Sequence, residues 1–386
     1  MNIIDYVKIN KKTLEENPIK DTDFAIFAQL AYLNFSKFQK RQEYIRIGDF
    51  SLEDDFKYLA KTALAEKESL SLIKEMSKSK RFKDVEVFGF ETKKDSKVKM
   101  NFGAMTFKFG DNYIISFRGT DTTLDGWYES MQLSYDSNIP GQELALDYLY
   151  RILDKIPDNS KIFLTGHSKG GNICQYAFLN TSKENQDRIS CIYNFEGPGN
   201  RNKYFENEEF VSLQDKIHKY VTSDSIIGML LYDFQKHTVI DAKGTTGIVQ
   251  HTIFTWKIDT TSLNLLKTNS LSKNALAFSI AIDKWLSKYN KEDTKYFVDL
   301  VFKLLDKAGI KDQKDFEVNT IDTLSKLVNE YSKTQKNERK STINRLNTLF
   351  KLFMKYRFMS KEKLIELSKY ERFLFEDSTS KKSVTN

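Results

Sequence analysis

The sequence predicts an α/β protein: a mostly parallel sheet flanked by helices, with an added helical region toward the C-terminal end. Short apolar runs of strand length alternate with segments whose apolar residues recur every three or four positions, the pattern of strands joined by helical crossovers. One such run, Lys161 to Thr165, enters Gly166-His167-Ser168-Lys169-Gly170-Gly171 and then a helix-compatible stretch from Asn172 to Leu179, which makes a strand-turn-helix unit. Past Asn269 the composition changes. Glycine nearly vanishes, Lys, Asn and Ser rise, and only helical periodicity remains.

Composition limits the alternatives. At 386 residues, 40% hydrophobic and 13% aromatic, the chain can bury a full core and is not intrinsically disordered. No run of about eighteen apolar residues is present to span a bilayer, and the start, Met1 to Tyr6, has neither a basic nor an apolar leader region, so a cytoplasmic location is expected. The net charge of +7 is spread among interspersed acids and bases, which argues against a nucleic-acid partner. Cys174 and Cys191 fit reduced, packed thiols, and no zinc spacing exists, so neither metal nor cofactor is expected.

In chain order, residues 1–100 read as an N-terminal region packed on the core. Asp21 to Phe38 carries Phe24, Phe27, Leu30 and Leu33 at helical spacing, and Leu52 to Met76 carries Phe56, Leu59, Ala63 and Leu64. Val85 to Phe90 opens the strands. The core spans 101–268. Gly103 to Phe109 and Tyr113 to Phe117 form a hairpin about Gly110-Asp111-Asn112, followed by a helix from Glu143 to Ile156 and the Lys161 strand. Extended runs Ile189 to Phe195, Ile217 to Thr222, Thr238 to Ile240 and Ile253 to Ile258 follow. Residues 269–375 hold four helical stretches: Leu271 to Tyr289, Thr294 to Ala308, Thr320 to Tyr331 and Thr342 to Phe358. Their stripes, including Trp285, Phe297, Leu300, Leu304, Ile343, Leu346, Phe350 and Phe353, are expected to pack as a bundle rather than lie on an anionic membrane, the lesser alternative. Residues 376–386 are expected to be a disordered tail.

The Gly-x-Ser-x-Gly turn is where chemistry is expected. Gly166 and Gly170 remove side chains that would collide across a tight turn, Gly171 continues the small run, and Ser168 is exposed at its tip with the Lys169 N–H beside it as an oxyanion donor. A serine nucleophile needs a base. Of four histidines, His167 lies in the turn, His218 and His237 fall on strands, and His251 follows the Gly/Thr-rich loop Lys243 to Gly247, so His251 is the candidate. Asp224, closing the Ile217 strand, is the candidate acid, with Asp233 and Asp241 as rivals. Thr120, in Phe117-Arg118-Gly119-Thr120, offers an N–H or a hydroxyl to the oxyanion.

Ile115 to Thr120, Leu164 to Gly171 and Tyr193-Asn194-Phe195-Glu196-Gly197-Pro198-Gly199 together resemble the class 3 (fungal-type) lipases of the α/β-hydrolase superfamily. More closely, they are similar to a largely uncharacterised bacterial lipase-like family of that superfamily, a likeness that extends to Ser225 to Leu231 and Gln250 to Trp256. The resemblance implies a serine hydrolase of acyl esters or lipids, with Ser168 as nucleophile, Asp224 as acid, His251 as base, and Thr120 with Lys169 at the oxyanion. A non-catalytic scaffold, or a thioesterase or peptidase with the same triad, is the alternative. Lys169 departs from the apolar residue usual in class 3 lipases. A cation there implies an anionic or polar acyl substrate.

Overall fold

The computed structural model describes all residues except 41, 62, 64, 201–207, 232–235, 313–314, 316–319 and 369–386. Leu64, the rival acid Asp233 and the tail 376–386 therefore lie outside the described residues. An eight-stranded sheet runs in chain order: β1 (Ile45–Arg46), β2 (Glu86–Asp95), β3 (Met100–Phe109), β4 (Asn112–Phe117), β5 (Lys161–His167), β6 (Ile189–Phe195), β7 (Ile217–Thr222) and β8 (His237–Ile240). β1 to β4 pair antiparallel, with the expected β3–β4 hairpin, and β4 to β8 pair parallel. The fold is of the α/β class, a largely parallel sheet between helices.

Alternation along each strand feeds two cores, because successive side chains leave opposite faces. Ile114, Phe163 and Phe195 join the cluster under the N-terminal helices, whereas Ile115, Leu164 and Ile192 join the other. The first face carries α1 (Ile3–Ile9), α2 (Asp21–Leu30), α3 (Ser36–Gln39), α4 (Glu53–Ala60) and α5 (Glu66–Lys78). The two long helices expected there are each divided. α2 is buried from Thr22 to Leu30 and stacks Phe24 on Tyr193 with ring centroids 3.7 Å apart.

Beyond β4 come α6 (Leu124–Gln132) and α7 (Pro140–Leu153), then α8 (Lys169–Asn180), α9 (Lys183–Arg188), α10 (Glu208–Leu213) and the one-turn α11 (Gly247–Gln250). α7 and α8 cover the second face. The extended run expected from Ile253 is instead a 3₁₀ turn, Ile253–Thr255, tied down by single bridges from Trp256 to Ala242 and from Ile258 to Leu265. Its apolar residues enter the core from a coil, which alternation alone does not distinguish from a strand.

Among the described residues the helical region includes α12 (Lys273–Leu286), α13 (Lys291–Lys307), α14 (Thr320–Ser332) and α15 (Lys336–Arg357). α12 packs on Val221 and Met229 at the end of the sheet, and Tyr356 and Leu364 close that cluster. α13 reaches α6, where the Tyr128 hydroxyl donates to Asp299 and the Tyr128 and Phe302 rings lie 5.1 Å apart. Trp285, Leu300 and Leu304 are buried as expected, but Ile343, Leu346 and Phe350 are not. α15 packs through Thr342, Arg345 and Tyr356, a face about 110° round the helix from the stripe at 3.6 residues per turn. Arg345 fixes that rotation: its guanidinium bonds the Asp293 carboxylate at 2.9 Å and stacks over Tyr289, while its carbonyl accepts the Trp285 indole N–H at 2.9 Å.

Candidate active site

Ser168 leaves β5 at φ 58° and ψ −131°, a left-handed backbone that costs an L-residue energy and is kept where the surroundings enforce it. The glycines allow the turn. A Cβ on Gly166 would stand 2.1 Å from the Gly170 carbonyl oxygen, and one on Gly170 would stand 2.2 Å from that of Phe117. Gly171 is packed as closely, its Cβ position lying 2.4 Å from Asn194 Oδ1. The N–H of Lys169 belongs to the first turn of α8 and so has no acceptor within the helix.

The loop that follows β4 approaches the turn. A Cβ on Gly119 would meet the Tyr32 hydroxyl at 2.1 Å and Ser168 Cβ at 3.2 Å, which puts Thr120 next to the turn. The Thr120 hydroxyl is 2.5 Å from Ser130 Oγ, and Ser130 Oγ is 3.0 Å from the Gly126 carbonyl. A hydroxyl carries a single proton. With that of Ser130 directed at the carbonyl, that of Thr120 is directed at Ser130, and only the Thr120 backbone N–H remains for an oxyanion.

His251 caps the C-terminal end of α11, whose N-cap is Thr246, so the Gly/Thr-rich loop is ordered into a helical turn that aims the ring. Its Nδ1 lies 3.0 Å from Glu196 Oε2. The other oxygen, Oε1, accepts the Thr222 N–H at 2.5 Å and the Thr222 hydroxyl at 3.2 Å. An ionised carboxylate only accepts, so Nδ1 carries a proton and, in the neutral ring, Nε2 is the nitrogen with the lone pair. Burial alone would raise the Glu196 pKa. Its bond to His251, the electrostatic attraction of that residue and the Thr222 N–H outweigh burial and hold it below the ordinary 4.5.

Here the structure departs from the sequence expectation. The carboxylate on the His251 ring belongs to Glu196, at the end of β6, and not to Asp224, at the end of β7. Asp224 pairs with Gln250 instead, accepting its side-chain N–H at 2.9 Å and donating its own backbone N–H to Oε1 at 3.0 Å. Strand spacing explains the difference: β6 neighbours β5, whereas β7 lies a further ~4.8 Å away. Glu196 also has a positive φ, 54°, so the residues that follow the adjacent strands β5 and β6 share this uncommon feature. The legible signal was an acidic residue directly after a strand in Phe195-Glu196-Gly197-Pro198. The rival Asp241 is paired with Lys257 at 2.8 Å.

His167 and Lys169, on either side of Ser168, both point inward. His167 is fully buried. Its Nδ1 is 3.1 Å from the Tyr32 hydroxyl and its Nε2 is 2.8 Å from the His251 carbonyl, so Nε2 carries the proton and ties the turn to His251. Burial first, and the nearby His251 second, drive its pKa well below 6.5 and keep it neutral. The Lys169 ammonium is 1% exposed, paired with Glu129 on α6 and donating to the Asn101 carbonyl at 2.8 Å. It is enclosed between α6 and β3. The anionic or polar acyl group expected from this lysine therefore loses its basis.

Among solved structures, M37 lipase is 20% identical over 55% of this chain and 70% of its own, with a TM-score of 0.36. Lip2 lipase from Yarrowia lipolytica is 13% identical over 65% and 83%, with a TM-score of 0.38. No curated protein matches the chain. The Mbeg1-like family matches residues 76–303, from the end of α5 through most of α13, and the chain belongs to that family.

Proposed function

We propose that the protein is a serine hydrolase of acyl esters, with Ser168 as nucleophile, His251 as base and Glu196 as the carboxylate that holds the base. The single observation behind this is the Glu196–His251 bond, which selects the tautomer with Nε2 as acceptor in a residue whose carbonyl is held by His167, next to Ser168 on its strained turn. Ser168 Oγ attacks the acyl carbon as its proton passes to Nε2, and the N–H groups of Lys169 and Thr120 receive the oxyanion. Collapse breaks the ester C–O bond, and the alcohol leaves with the proton from Nε2. Water then gives a proton to Nε2 and attacks the acyl-enzyme. Return of that proton to Ser168 Oγ releases the acid. Glu196 remains ionised, fixing the tautomer and stabilising imidazolium.

A fluorophosphonate probe tests the reading. Wild type is expected to label at Ser168 and Ser168→Ala to stay unlabelled. Folded wild-type protein that resists the probe would make the chain a hydrolase-like scaffold instead. A panel of acyl esters, thioesters and amides graded by chain length then assigns the leaving group.

A further inference from the structure

Helix α15 carries seven Lys and Arg residues against one Glu, a net +6 in a chain whose whole net charge is +7. It also leaves an apolar row uncovered: Ile343 is 47% exposed, Leu346 50% and Phe350 62%, and Phe358, just past its end, is 78% exposed. The spacing of three, four and eight residues keeps the row on one side of the helix. Arg345 turns inward to Asp293. Lys336, Lys340, Lys351, Lys355 and Arg357 are exposed. The only acid, Glu338, accepts the Tyr296 hydroxyl at 3.0 Å.

We propose that this face of α15 docks the protein on an anionic lipid surface, the apolar row entering the acyl boundary and the cations meeting the headgroups. Three features select that occupant. The cations run from the first residue of the helix to its last, about 33 Å at 1.5 Å per residue, which suits a plane rather than a point. The row stands on the outward side of one helix instead of lining a cleft, where a bound peptide would sit. A second copy meeting row to row would bring two +6 helices together, which repulsion opposes. The proposal is independent of the hydrolytic reading, because no active-site residue enters it.

Vesicle flotation with full-length Ser168→Ala protein separates the two. Binding is expected to vesicles of phosphatidylcholine with phosphatidylserine, and not to phosphatidylcholine alone. Leu346→Ser with Phe350→Ser, and separately Lys340→Glu with Lys351→Glu and Lys355→Glu, are each expected to lower binding about tenfold or more while thermal unfolding stays unchanged. Binding to neither vesicle, or equal binding by wild type and both variants, overturns the proposal. So does a concentration-dependent dimer in sedimentation that Phe350→Ser abolishes, which would assign the row to a second copy.

Discussion

Helix α8 buries every residue from Lys169 to Phe178, whereas α15, with 22 residues to its 12, buries only Thr342, Arg345 and Tyr356. α8 even sinks its polar residues. The Asn172 amide donates to the carbonyls of Pro198 and Gly199 at 3.1 and 3.0 Å, and Gln175 accepts from Asn194 at 2.8 Å, so the chain after Glu196 is moored to the helix after Ser168. α15 does the reverse and leaves Ile343, Leu346 and Phe350 outside. The contrast separates two uses of a helix. Partnered polar groups in a low-dielectric interior hold atoms in one geometry, whereas a one-sided helix at the periphery keeps a face for contact.

The largest effect is expected within the α8 half. Glu196→Gln should lower kcat about 10³–10⁴-fold, because a neutral amide disturbs the imidazole tautomer and stabilises imidazolium poorly, whereas Asp224→Asn should cost less than about tenfold. Steady-state kinetics on any ester that labels Ser168 decides it, and the reverse ranking would return the acid to β7.

Next come the two helices' lysines. Lys169→Met keeps the backbone N–H but strands the buried Glu129 carboxylate, and should cost about 3–5 kcal/mol in urea unfolding. Lys351→Met should stay within about 0.5 kcal/mol. Equal losses would mean that the burial difference between the helices has no energetic counterpart.

A pH series sharpens the comparison further. His167 is held neutral with its pKa depressed from 6.5, so the unfolded chain binds the extra proton and stability falls as pH drops below about 6.5, with a slope approaching 1.4 kcal/mol per unit. His167→Gln should remove that component. Glu196, depressed from 4.5, has the same sign and adds its loss below about pH 4.5. Thermal unfolding between pH 8 and 4 reads both, and an unchanged slope in His167→Gln would refute the first. The smallest effect should be that of Phe350→Ser on stability, within about 0.5 kcal/mol, because its ring already faces water.

The sequence alone determined the elements whose signal is local. The apolar run into Gly166-His167-Ser168-Lys169-Gly170 specifies a strand, a sterically tight turn and a helix, since each glycine answers a clash within a few residues of itself. The β3–β4 hairpin and the α12 to α15 periodicities were legible for the same reason. Tertiary structure alone decided whatever depends on which surfaces meet. Asp224 and Glu196 both follow strand ends, and only the strand order beside β5 selects between them. Lys169 reads as a cation beside the serine until Glu129, 40 residues earlier, folds against it. The stripe of α15 reads as core until Arg345 and Trp285 turn the helix, because periodicity defines an apolar face but cannot say whether a neighbour is there to cover it.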